Sequence, residues 1–284
     1  MLWRKGRRSA NIEDRRGRRV GGKAAGGIGG IGLIIAFGYF FLSGDPSMLI
    51  RQIAGGGGIG SKPQQTIPAE LTEQEKQLTE FVSVVLADTE DVWRGIFEQN
   101  GLTYQDPILV LYTDQTPTAC GTGQAAAGPF YCPGDRKMYL DLNFLGEMKR
   151  MGATGDFALA YVIAHEVGHH VQTLVGTSDK VRQMQARSSQ IESNQLQVRM
   201  ELQADCFAGV WAYHAQQQRQ ILEEGDIEEG IRAAAAVGDD HLQRMAGRRV
   251  VPEAFTHGSS KQRMDWLKRG LSTGDVQACN AFEA

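Results

Sequence analysis

The stretch Asp156-Phe-Ala-Leu-Ala-Tyr-Val-Ile-Ala-His-Glu-Val-Gly-His-His-Val-Gln-Thr-Leu-Val175 decides how the chain is read. Ala158, Leu159, Tyr161, Val162, Ile163, Ala164, Val167 and Val171 are apolar on every side of a helix, which predicts a buried one. Inside it lies His165-Glu-Val-Gly-His169, an HExxH pattern. Residues four apart share a helix face, so both imidazoles can reach one ion. Glu166 projects beside them, where it can serve as the catalytic base for an attacking water. Burying a glutamate and two histidines is costly unless they are paired or coordinated, which favours a metal centre over a chance cluster. His170, about 100° further round the helix, is expected to pack or to support a ligand from behind rather than to ligate.

Catalytic zinc takes three protein ligands and keeps one position open. Glu201-Leu-Gln-Ala-Asp205, 32 positions after His169, is the best source of the third. Its two carboxylates share a face and are surrounded by Ala204, Cys206, Phe207, Ala208, Val210 and Trp211, so the segment reads as inward-facing rather than as a solvated acidic face. Glu201 is the candidate ligand. Asp205 can accept a hydrogen bond from the distal N–H of a ligand histidine and fix its tautomer. His257, in Thr256-His-Gly-Ser-Ser260, is a candidate catalytic residue that stabilises the oxyanion, with a structural loop or capping role as the alternative. His241, beside Asp239 and Asp240, reads as a polar helix start rather than a substitute ligand. His214, among glutamines, reads as surface.

HExxH followed by Glu201-x-x-x-Asp205 resembles the gluzincin pattern. Further pieces are Asn11-Ile-Glu-Asp-Arg-Arg16, Ala119-Cys-Gly121, Phe130-Tyr-Cys-Pro133, Ala164-His-Glu-Val-Gly-His-His-Val-Gln172, Glu201-Leu-Gln-Ala-Asp-Cys206, Gly238-Asp-Asp240 and Phe255-Thr-His-Gly-Ser-Ser260. With these, nearly the whole chain resembles the "putative neutral zinc metallopeptidase" family of membrane-anchored bacterial proteins. The resemblance implies one Zn2+ per chain held by His165, His169 and Glu201, with Glu166 as catalytic base and Asp205 orienting His165. The expected activity is metalloendopeptidase cleavage of a protein or peptide substrate. A non-catalytic zinc-stabilised envelope module and a zinc amidase acting on cell-wall peptides are the alternatives.

Of 284 residues, 30 are Lys or Arg and 33 Asp or Glu, a net charge of −3. The balance conceals a split. Residues 1–23 hold nine basic and two acidic groups, and the remainder holds 21 and 31, so a +7 segment precedes a −10 body. An acidic body argues against a nucleic-acid partner. Ala24 to Gly44 carries no charge and ends in an apolar run to Leu42, long enough to cross a ~30 Å hydrocarbon core. Basic residues before this run and none after it until Arg51 predict a retained single-pass anchor in the bacterial inner membrane, with a cytoplasmic N-terminus and an extracytoplasmic body. The expected organisation is a basic tail at 1–23, a transmembrane helix at 24–44, a Gly/Pro/Gln-rich linker at 45–70 and a metallopeptidase domain at 71–284. Oligomeric state has no signature in the sequence.

Four cysteines allow three pairings. Cys120 and Cys132 flank a Gly-rich loop that a disulfide would order, which leaves Cys206 with Cys279; an extracytoplasmic body permits both bonds. Elsewhere Thr72-Glu-Gln-Glu75 predicts a capped helix start, and apolar spacing carries that helix to Asn100-Gly101. Strands are predicted at 107–112 and 137–141, the second as an edge strand able to pair with an extended peptide. Single helices are predicted at 144–150, 156–175, 226–246 and 260–269, and Gln- and Arg-rich helices fill 178–220. The expected class is α+β: a helix-dominated zincin-like domain with a small sheet.

Overall fold

The computed structural model describes residues 1–17 and 71–282. The architecture is helix-dominated α+β, in line with the sequence reading. Helix α1 (Glu73–Gln99) begins with the expected capping box: the Thr72 hydroxyl accepts from the Glu75 amide, and the Glu75 carboxylate accepts from the Thr72 amide. Its apolar face buries Phe81, Val82, Val85, Leu86, Trp93 and Phe97.

A four-stranded sheet packs beside the helices in the order β1-β2-β6-β5, with β1 at Ile12–Asp14, β2 at Ile108–Tyr112, β6 at Lys137–Asp141 and β5 at Phe130–Cys132. Strands β1, β2 and β6 run parallel, whereas β5 is antiparallel to β6. A hairpin of β3 (Gln115–Thr118) and β4 (Gly121–Gln124) is separate. Because β6 is bonded on both sides, the expectation that Lys137–Asp141 is an open edge is corrected. Among the described residues, the outer strands are β1 and β5.

Residues 1–17 belong to this same body, which corrects the expectation of a separate tail and of a folded domain that starts at 71. Strand β1 pairs with β2 in register, Ile12 opposite Leu109 and Asp14 opposite Leu111. Met1 is buried, with its amine 2.8 Å from Asp156, 3.1 Å from Glu223 and 3.3 Å from Asp226. Arg7 reaches both Glu90 and Asp91 at 2.7 Å, and Arg8 pairs with Glu80. Glu90 is fully buried and also accepts from Ser9 and Asn11. The physical reason is charge complementarity: basic side chains of the segment find acidic partners on α1. Strands β1 and β2 share a sheet, so residues 12–14 and the body stand on one side of any bilayer. The apolar run 24–44 and the linker 45–70 lie outside the described residues. Among the described residues, no helix is long and apolar enough to cross a membrane.

After a short helix α2 (Phe144–Arg150) comes the buried central helix α3 (Asp156–Leu174). The helices expected over 178–220 are α4 (Thr177–Gln185) and α5 (Gln190–Arg219), divided where Ser189 caps a new start through a box with Glu192. The stretch 226–246, expected as one helix, divides at Gly238 into α6 (Asp226–Ala236) and α7 (Asp239–Met245). Helix α8 (Ser260–Thr273) lies against α5. A Cβ on Gly209 would come within 2.3 Å of the Leu267 carbonyl, and one on Gly270 within 2.0 Å of the Cys206 carbonyl. Only glycine permits this backbone approach, which brings α8 up to α5 beside Asp205. Disulfides join Cys120 to Cys132 and Cys206 to Cys279.

Candidate active site

His165 and His169 stand one turn apart on α3 with their rings edge to face, centroids 4.8 Å apart. Their Nε2 atoms converge on Glu201 of α5: His165 Nε2 lies 3.2 Å from one carboxylate oxygen and His169 Nε2 3.5 Å from the other. Gly168 makes the convergence possible, since a Cβ there would stand 3.0 Å from both Cα and the carbonyl oxygen of Ala204. The small residue lets α5 approach the face of α3 that carries the histidines.

Behind His165, Nδ1 lies 2.8 Å from Asp205 Oδ1. Asp205 is wholly buried and also accepts from the Tyr161 hydroxyl at 2.6 Å and from Arg263 Nε at 2.8 Å. Burial alone would raise the Asp205 carboxyl; Arg263 and His165 overcome it and hold the pKa down at about 2. Burial likewise pushes His165 down, yet Asp205 and Glu201 carry it up to about 9 without metal. Glu201 is held well below the carboxylate range by the two histidines, against its burial. It also accepts from Gln197 at 2.9 Å.

Glu166 is buried, and its Oε2 has no hydrogen-bond partner among the described residues. Desolvation raises its pKa. An orphaned buried carboxylate oxygen is costly in a structural site, but it is what a proton acceptor requires. Two imidazole nitrogens and a carboxylate oxygen within 4.8 Å of one another match the nitrogen and oxygen donor set of zinc. The residues present therefore fit the ion, and Glu166 stands outside the donor set.

The remaining histidines separate clearly. His257 is half-exposed on a loop stapled by Asp239, whose Oδ2 accepts from the backbone amides of Thr256, His257 and Gly258. The His257 ring lies 3.2 Å from the same carboxylate. His170 is buried, takes the Tyr131 hydroxyl on Nδ1 and donates from Nε2 to the Gln105 carbonyl. Burial drops its pKa to about 4, so it is a neutral packing residue. His241 is not part of the three-residue cluster. His214, expected on the surface, is half-buried and bonded to the Gly274 carbonyl at 2.8 Å, a correction that follows from the close packing of α5 on the end of α8.

Sequence reasoning missed Tyr161 and Arg263. Tyr161 had a usable signal, being four residues before His165 on the same helix face. Arg263 had none, because Ser259-Ser-Lys-Gln-Arg-Met264 reads as an ordinary polar helix start.

A helix-borne HExxH whose imidazoles face a glutamate on a second helix defines a site of the zinc metallopeptidase type. The chain belongs to the family described as "putative neutral zinc metallopeptidase", which matches residues 1–282. It is 49% identical over 288 residues to the uncharacterized protein YpfJ of Escherichia coli strain K12, covering 99% of each chain. It is 42% identical over 192 residues to the uncharacterized protein Mb2605 of Mycobacterium bovis, covering 64% of each. No solved structure matches.

Proposed function

We propose that the protein is a zinc-dependent endopeptidase, with one zinc ion held by His165, His169 and Glu201. The observation that carries this reading is the unpartnered Glu166 Oε2, buried next to a three-donor cluster. Bound zinc would supply a Lewis acid that polarises the scissile carbonyl and acidifies water. Glu166 Oε2 accepts the proton of the attacking water and hands it to the departing amine; its raised pKa brings it closer to that task. Asp205 keeps the His165 Nδ1 proton in place, which leaves Nε2 free to ligate. His257, held by Asp239, is proposed to donate to the oxyanion as it develops. Strand β5 bonds to β6 on one side and packs beside α3, which supports an extended peptide as the substrate that adds to its outer edge.

Glu166→Gln tests the reading. The variant is expected to retain one zinc per chain by metal analysis while losing cleavage of unstructured protein substrates. Wild-type protein that binds no zinc, or a variant that cleaves as well as wild type, would sink it.

We further propose an extracytoplasmic body attached to the inner membrane through residues 24–44, with β1 on the body's side because it shares the body's sheet, in place of the expected single crossing from a cytoplasmic N-terminus. Two disulfides support an oxidising compartment. Single cysteines at the exposed positions Lys5 and Lys261 are expected to react with an impermeant maleimide in intact spheroplasts. Labelling of only one would contradict the shared side, and labelling of neither would contradict the compartment.

A further inference from the structure

His165 has a carboxylate behind it, whereas His169 has an amide. Its Nδ1 lies 2.9 Å from Oε1 of Gln172, a fully buried side chain one turn further along α3. The Gln172 amide nitrogen donates to the Met200 carbonyl at 2.8 Å and to Gln203 Oε1 at 3.0 Å. Gln203 in turn donates from Nε2 to the carbonyl of Cys279 at 3.1 Å. Cys279 is itself bonded to Cys206, on α5 next to Asp205.

The direction of this chain is fixed from its far end. Backbone carbonyls only accept, so the Cys279 carbonyl requires the amide nitrogen of Gln203, which turns Oε1 towards Gln172. The Met200 carbonyl and Gln203 Oε1 then both require the amide nitrogen of Gln172, which turns its Oε1 towards His169. An acceptor at that position requires the proton of His169 on Nδ1. The lone pair is thereby left on Nε2, the atom that faces Glu201. Reversing either amide would set two acceptors or two donors against each other in a buried place, where unmet groups are costly.

We propose that Gln172 is the positioning residue for His169, and that the Cys206–Cys279 disulfide supports the metal site through Gln203 and Gln172. The proposal rests on the zinc reading above, and its test separates the two. Zinc affinity is measured by competition with a chromophoric chelator for wild type, Gln172→Met, Gln203→Met and the Cys206→Ala/Cys279→Ala pair, each checked for native circular dichroism. Gln172→Met is expected to weaken zinc binding roughly 10- to 100-fold, the usual cost of losing a partner behind a ligand histidine. Gln203→Met and the disulfide-free pair are expected to weaken it by less, but measurably. In metal-free wild type at alkaline pH, the nitrogen NMR shifts of the His169 ring are expected to show the Nδ1–H tautomer, and this measurement needs no variant to fold.

Wild type that binds zinc tightly while Gln172→Met binds within twofold overturns the proposal and leaves the zinc reading standing. So does a predominant Nε2–H tautomer in wild type. An unchanged affinity in both Gln203→Met and the disulfide-free pair overturns the link to the disulfide. Wild type that does not bind zinc overturns both readings.

Discussion

Arg263 grips Asp205 with two prongs, Nε to Oδ2 at 2.8 Å and Nη2 to Oδ1 at 2.9 Å, directly beneath His165. The pair is almost wholly buried and bridges α8 to α5. Tyr161 closes the group from α3, with its hydroxyl on Asp205 Oδ1. One carboxylate thus ties three helices together and stands behind His165 as an acceptor for an Nδ1 proton. Stability and site geometry depend on the same buried charge.

Arg263→Met should therefore cost more than its packing. Removing one partner of a buried ion pair leaves an uncompensated charge and costs about 3–5 kcal/mol. Asp205 would then recover a more ordinary pKa and be a poorer acceptor for the His165 proton. We expect a clearly lower Tm for the metal-free protein together with weaker zinc binding. Thermal unfolding and chelator competition read the two effects separately, and a Tm within a degree or two of wild type would refute the first.

Gly168→Val addresses the distance between α3 and α5. Its side chain would press on the Ala204 backbone at a contact already down to 3.0 Å for a bare Cβ. Overpacking of this kind typically costs 1–3 kcal/mol, and relief would come from moving Glu201 away from the histidines. Zinc affinity is expected to fall more than the Tm implies, with Gly168→Ala intermediate. Equal zinc affinity in all three proteins would mean that the helices accommodate the change elsewhere.

What could be read in advance divides along physical lines. The convergence of His165, His169, Glu201 and Asp205 was legible because these residues repeat at helical spacing inside apolar surroundings, a local signal. The Cys120–Cys132 bond was legible because its loop is short. Strand β1 was not, since Ile12-Glu-Asp14 has one apolar residue and holds its place through backbone pairing across 97 positions, Ile12 opposite Leu109. The charge split between the first 23 residues and the rest was visible, but its meaning was not. Read along the chain it suggested two compartments, whereas in the fold Arg7 and Arg8 of one part neutralise Glu90, Asp91 and Glu80 of the other. Arg263 and Gln172 became meaningful only through partners far away in sequence.

Deleting residues 2–16 tests that joining of charges. Glu90 would lose Arg7, Ser9 and Asn11 and, among the described residues, keep Arg94 at 3.7 Å, and the sheet would lose β1. A separate tail would leave the Tm of the body unchanged. We expect instead a loss of several kcal/mol, on the order of a broken buried pair, and partial recovery when Glu90→Gln is added to the deletion. Denaturant titration of the three proteins distinguishes the outcomes.

The metal-free and zinc-loaded proteins should differ in how stability follows pH. His165 has a folded pKa of about 9 against 6.5 unfolded. Its contribution is therefore complete below pH 6.5 and is lost as pH rises through about 9. His169 is shifted in the same direction, where burial is outweighed by Glu201, and adds to that alkaline loss. His170 works the other way. Its folded pKa of about 4 makes its contribution complete above pH 6.5 and lost as pH falls towards 4. Asp205, at about 2 against 3.8, contributes above pH 3.8 and fails only in stronger acid. The metal-free protein should thus be most stable near pH 6.5 and weaken on both sides. Zinc must displace the protons from the two histidines, which becomes easier as pH rises, so the Tm gain from one equivalent of zinc should grow steadily between pH 6.5 and 9. A gain that stays flat or shrinks over this interval would show that protons and metal do not compete for His165 and His169.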